Sequence, residues 1–100
     1  MKMKTVDEII KILKTQEELL RERYGVVKIG IFGSFARDEQ TEVSDVDILV
    51  EFEKPIGLRF FELADYLEEI FGVKVDLFTP NALKQKPLLW KSVEEDLIYV

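Results

Sequence analysis

Gly33-Ser34-Phe35-Ala36-Arg37-Asp38-Glu39-Gln40-Thr41-Glu42-Val43-Ser44-Asp45-Val46-Asp47 is the stretch whose reading decides how this chain folds. One apolar run, Val26 to Phe32, leads into it, and a second, Ile48 to Phe52, leads out. The residue types read as a strand, a Gly-Ser turn, a short helical turn, a polar loop and a second strand that opens with two carboxylates. Side chains alternate between the faces of a strand, so Asp45 and Asp47 share one face. Aspartate is depleted in strands, and two on one face at a strand's start need a cause. A divalent metal that holds the phosphates of a nucleotide would supply one.

The elements around this stretch follow from local pattern. Thr5-Val6-Asp7-Glu8 has the form of a capping box, with Thr5 as N-cap. Val6, Ile9, Ile10, Leu13 and Leu20 keep helical spacing behind it, and Gly25 suits the helix's end. Val26 to Phe32 is a buried strand of mostly β-branched residues, in which Gly30 marks a close approach by another backbone or a ligand. Ser34 to Glu39 is expected as a short helix with Ser34 as N-cap, whose free amides suit an anion. Val46, Ile48, Val50 and Phe52 line one face of the next strand, while Asp45, Asp47, Leu49 and Glu51 line the other.

Leu58, Phe61, Ala64, Leu67 and Phe71 predict an amphipathic helix closed by Gly72. Val73 to Phe78 is a third strand, and Thr79-Pro80 begins another helix with proline in its first turn. Pro87 opens a last helix, and Leu97-Ile98-Tyr99-Val100 reads as a fourth strand or a docking surface for a partner, with burial in the protein's own fold the expectation. Without repeats or a linker, residues 1–100 form one domain, and the alternation of helix and strand makes it α/β or α+β.

Composition limits the chemistry. The chain has neither cysteine nor histidine, which excludes disulfides, thiolate zinc sites and a histidine base. A metal must therefore be held by oxygen, which favours magnesium, calcium or manganese. A net charge of −6 argues against a long nucleic acid as partner. It leaves room for a small phosphate ligand that arrives with its metal. No apolar run reaches membrane-spanning length and no signal-peptide core is present, so a soluble cytoplasmic protein is expected.

Asp76, between Val75 and Leu77 in the third strand, completes the pattern. If the second and third strands pair, Asp76 joins Asp45 and Asp47 on one surface. Two like charges about 5 Å apart at an effective dielectric of about 20 repel by roughly 3 kcal/mol. Three such groups need a cation, or one of them stays protonated. Taken singly, each residue has a plainer reading: Asp45 as a turn residue, Asp47 on a strand surface, Asp76 paired with Lys74, Gly33-Ser34 as a simple turn. Arg37 is as well explained by solvent or a salt bridge as by a phosphate.

Jointly, Gly33-Ser34, ten intervening residues and Asp45-Val46-Asp47 resemble the signature of the polymerase-β-like nucleotidyltransferase superfamily. The short chain, the Gly-Ser-Phe-Ala-Arg run and the Ser-Asp-Val-Asp form are similar to its minimal nucleotidyltransferases, the MNT group. The resemblance implies the nucleotidyltransferase fold, a small mixed sheet of three to four strands flanked by helices. It implies Asp45, Asp47 and Asp76 as metal ligands and catalytic groups, with Asp76 as candidate base. Gly33 and Ser34 would hold the triphosphate of ATP, and Arg37 would position it or orient the loop. Mg²⁺, in two ions, is the implied cofactor.

Such proteins often act as antitoxins to a HEPN-domain toxin, some by moving AMP from ATP to a toxin tyrosine. A chain this short has little left to build an acceptor pocket, which fits a protein partner. Two alternatives stay open: an antitoxin that works by contact alone, and transfer to a small molecule. Assembly with itself or with a partner is open too.

Overall fold

The computed structural model describes residues 4–100. Thr5 caps α1 (Val6–Thr15) as its pattern predicts, its hydroxyl accepting from the Glu8 amide at 3.3 Å. The single first helix expected from the sequence is instead two, because the chain breaks at Gln16 before α2 (Glu17–Tyr24). Thr15 Oγ1 donates back to the Ile12 carbonyl at 2.7 Å, a bond that bends helices, and Tyr66 donates to Gln16 Oε1 across the break. Gly25 then ends α2 in the left-handed conformation.

Next come β1 (Val26–Phe32), β2 (Val46–Phe52), α3 (Arg59–Phe71), β3 (Val75–Phe78), α4 (Pro80–Lys84), α5 (Pro87–Asp96) and β4 (Ile98–Tyr99). The strands form one mixed sheet in the order β3-β2-β1-β4. β1 runs antiparallel to β2 and β4, whereas β2 and β3 are parallel and joined through α3. This is the mixed α+β sheet with flanking helices that the resemblance implies. The apolar end is its fourth strand, packed on Gly30, where a Cβ would come within 2.7 Å of Leu97 Cδ1.

Alternation along β2 divides the interior in two. Val46, Ile48 and Val50 face a large cluster with Ile9, Leu13, Leu20, Leu63, Leu67 and Phe71 from α1, α2 and α3. Leu49 faces the other way, into a smaller cluster with Phe32, Leu83 and Val93 under α4 and α5. At roughly 1.5–3 kcal/mol per fully buried large side chain, the first cluster carries most of the stability. The second steadies the strand ends near the carboxylates.

The stripe of α3 differs from the one expected. Leu58 and Phe61 are 81% and 64% exposed, and Leu63, Leu67 and Phe71 are the buried positions. The helix starts only at Arg59, and its i, i+4, i+8 row is the one that meets the sheet. β3 is also shorter than expected, opening at Val75, whose amide is held by the Glu68 carboxylate at 2.9 Å.

Candidate active site

β1 ends at Phe32, which pairs with Asp47 in β2. The chain then turns at Gly33, with φ of +75°, a conformation that glycine takes without strain. Space as well as φ requires glycine here, since a Cβ at this position would overlap the Asp47 carboxylate. The bend and the second aspartate of the Asp-x-Asp pair are thus in direct contact.

Ser34 to Asp38 is a single turn and not the short helix expected. The Arg37 amide reaches the Gly33 carbonyl at 3.2 Å, and the Glu39 amide reaches the Ser34 carbonyl at 2.9 Å. Asp38 between them has φ of +58°, so a helix-ending motif closes after one turn. Aspartate tolerates that region better than most residues, so the turn stops there. Phe35, buried, pins the turn to the larger cluster. The loop beyond is tied to itself: the Thr41 amide donates to Ser44 Oγ at 2.8 Å, and the Ser44 amide to the Thr41 carbonyl at 3.1 Å. Asp45 follows at once.

Asp47 and Asp76 are register partners in the parallel pair β2–β3, so their side chains stand on one face. That face is the one carrying Leu49 and Phe78, beneath α4 and α5. Burial first, then the charges of Asp76 and Asp45, push the Asp47 carboxyl up to about 6, with Arg37 opposing. Asp76, though exposed, is also raised, by partial loss of solvent on one side first, then by the charge of Asp45 and a hydrogen bond with it, and by Glu68; Lys86 opposes. The three carboxyl groups named from the sequence therefore act on one another.

Arg37 is committed elsewhere. Its guanidinium donates to Asp96 Oδ2 at 2.6 Å and to Glu39 Oε1 at 2.8 Å, and lies 3.5 Å from Ser92 Oγ. It ties the Gly-Ser turn to α5. Sequence reading missed Asp96 and Ser92, which hold it, and Glu68, which holds β3. Their signal is only tertiary, because each is an ordinary polar residue on an amphipathic helix.

The chemistry of the donor set suits a hard divalent cation. All donors are oxygen, and a cation relieves the repulsion that raises Asp47 and Asp76. Mg²⁺ ordinarily takes one or two carboxylates and completes its shell with water and phosphate. Among the described residues no group of three or more acidic side chains could hold an ion unaided. An ion held by Asp45 and Asp47 would complete its shell from water and a ligand.

Comparison with known proteins matches residues 8–100 to the family described as Nucleotidyltransferase domain. A Methanocaldococcus jannaschii protein provisionally assigned as a protein adenylyltransferase, MJ0128, is 58% identical over 99 residues, covering 98% of this chain and 100% of its own. Protein adenylyltransferase MntA of Thermococcus cleftensis is 48% identical over the full length of both chains. A solved, provisionally assigned minimal nucleotidyltransferase superposes with a TM-score of 0.75 at 32% identity, covering 95% of each chain. The fold also recurs, with a TM-score of 0.57 at 22% identity over 94% of this chain and 66% of the other, in a complex of tri-AMPylated Shewanella oneidensis HEPN toxin with MNT antitoxin.

Proposed function

The chain belongs to the nucleotidyltransferase domain family, and from that premise we propose that it transfers AMP from ATP to a hydroxyl of a partner protein. The acceptor is a tyrosine of a HEPN-domain toxin, and the transfer makes this chain the antitoxin in the cytoplasm. The carrying observation is the row formed by Gly33, Asp47 and Asp76, in which the bend packs on one carboxylate and the next strand sets the other beside it. Near full-length likeness to a protein adenylyltransferase supports the choice of a protein acceptor.

The roles follow from position. Asp45 and Asp47 would hold Mg²⁺, which when bound would supply charge neutralisation and Lewis acidity at the phosphates. Backbone at Gly33 and Ser34 receives the triphosphate, where the lack of a side chain permits close approach. Asp76 takes the proton of the acceptor hydroxyl as its oxygen bonds the α-phosphorus. The bond from that phosphorus to the bridging oxygen breaks, and pyrophosphate leaves. Arg37 works through the turn, which it anchors to α5. Little further covalent chemistry is asked of the protein, because such transfers depend on positioning and charge.

Three mutually repelling carboxyl groups favour this reading over an antitoxin that acts by contact alone, which would need none of them. Co-expression with a HEPN-domain partner, followed by intact mass of both chains, tests it. The expected result is one or more AMP additions on the partner, absent with Asp45→Ala or Asp47→Ala. Unmodified partner in the presence of wild type, ATP and Mg²⁺ would overturn it.

A further inference from the structure

Lys86 stands at the gap between α4 and α5, as the residue before the first turn of α5. Its backbone is fixed on both sides: its amide donates to the Leu83 carbonyl, and its carbonyl accepts from the Trp90 amide, each at 2.9 Å. Its ammonium lies 5.5 Å from the centroid of the Phe78 ring. Phe78 shares a strand face with Asp76 two residues before it, and its ring lies 5.8 Å from that of Phe32, the register partner of Asp47. Phe32 and Phe78 therefore flank Asp47 and Asp76 on one face of the sheet, and the ammonium lies over the ring two residues along β3 from Asp76, the carboxylate farthest from Gly33.

The charge is also available. Among the described residues the salt bridges are those of Arg37, and Lys86 takes part in none. An exposed lysine is usually left to solvent. This one rests over the Phe78 ring, on the sheet face that carries Asp47 and Asp76.

We infer that Lys86 is a phosphate-binding residue of the same site, serving the α-phosphate of the nucleotide at the end of the carboxylate row opposite Gly33. The inference rests on the nucleotidyltransferase reading and adds to it a side-chain cation. If the bend at Gly33 takes the distal phosphates, the phosphate nearest Asp76 is the one that the acceptor attacks. An ammonium there screens that phosphate from Asp76 and meets the charge that grows on its oxygens.

Equilibrium binding of AMP-PNP and of AMP, each with MgCl₂, to wild type, K86M and K86R tests this. AMP keeps the α-phosphate and lacks the others. K86M is expected to bind both nucleotides about tenfold more weakly, the scale of one charge-assisted contact, and K86R to stay within about threefold of wild type. Unchanged thermal midpoints for both variants accompany that result, because the side chain is exposed. K86M binding both nucleotides as wild type does would overturn the inference, as would a loss confined to AMP-PNP, which would place the ammonium at the distal phosphates. Failure of the underlying reading looks different, since wild type itself would then bind neither nucleotide.

Discussion

Gly33 and Asp47 occupy each other's space: the carboxylate lies where a Cβ on the bend would have to be. The contact joins the end of β1 to the start of β2 and fixes the Asp47 side chain against backbone. Gly33→Ala meets two separate costs. Alanine at a φ of +75° loses roughly 1 kcal/mol relative to glycine, and its methyl must displace the carboxylate. The variant should therefore fold with a modest drop in thermal midpoint but lose AMP transfer by two orders of magnitude or more. A variant with normal transfer would show that the bend does not position Asp47.

Asp47 gives a pH dependence that can be read without any partner. Its carboxyl titrates at about 6 in the folded protein, against 3.8 without the fold, so the native state binds the proton more tightly. Stability is then highest when the group is protonated and falls as pH rises from about 4 through about 6. The group is partly open to solvent, so the loss is on the order of 1–2 kcal/mol. Metal-free wild type should melt at higher temperature at pH 5 than at pH 7, and Asp47→Asn should flatten the difference. Mg²⁺ with AMP-PNP should restore stability at pH 7 in wild type alone. A thermal midpoint that rises between pH 5 and pH 7 in the wild type, and not in Asp47→Asn, would contradict the sign.

Arg37 and Asp96 predict a coupled pair. The guanidinium holds the Gly-Ser turn to α5 through Asp96 and Ser92. If its work is to anchor the turn, Arg37→Met and Asp96→Asn should loosen the same segment. Amide exchange over residues 34–39 should quicken in both, with the double variant no faster than the worse single one. If instead Arg37 meets phosphate directly, Arg37→Met alone should weaken nucleotide binding while Asp96→Asn leaves it intact.

How much of this was legible in the sequence depended on range. Asp45, Asp47 and the Gly33-Ser34 bend were readable because the alternation of β2 and the turn chemistry are local. Asp76 needed one assumption, that β2 and β3 are neighbours, and the parallel register supplies it. The break at Gln16 was hidden, since Thr15 and Tyr66 cause it and helical periodicity continues through it. The stripe on α3 was misplaced because Leu58 and Phe61 are as apolar as Leu63 and Phe71, and only the sheet decides which row is covered. The turn after Ser34 was read as helix, but a left-handed Asp38 ends it after one turn. Lys86 had no local signal at all, because its interest comes from Phe78, eight residues earlier and in another element.

Gly30 tests the fourth strand. Its Cβ, if present, would lie 2.7 Å from Leu97 Cδ1 and 3.0 Å from the Ile98 carbonyl oxygen. The leucine end can move, but the carbonyl belongs to β4, which pairs with β1 at this position. Gly30→Ala should therefore shift β4 outward and cost about 1–3 kcal/mol, the usual range for overpacking. Faster amide exchange at Val100, whose amide donates to Ile29, would report the shift. A variant of wild-type stability would mean that the end of the chain yields freely.

In the proposed mechanism Asp76 serves proton transfer while Asp45 and Asp47 serve metal binding. Asp76 is exposed, whereas Asp47 is half-buried, and it lies one strand farther from the bend. A base must reach the acceptor hydroxyl, which comes from outside, so the open position suits that task better than the Gly33-packed one. Asp76→Asn should keep Mg²⁺-dependent binding of AMP-PNP within about threefold of wild type, yet reduce transfer to the partner by about 10²–10⁴-fold, the range for general base catalysis. If Asp47 holds the metal as proposed, Asp47→Asn should lose binding and transfer together. The pH profile adds a readout that a structural role would not move: residual transfer by Asp76→Asn should rise with pH as hydroxide replaces the missing base. If Asp76→Asn instead binds AMP-PNP as poorly as Asp47→Asn, its carboxylate is chiefly a metal ligand, and the base must come from the partner.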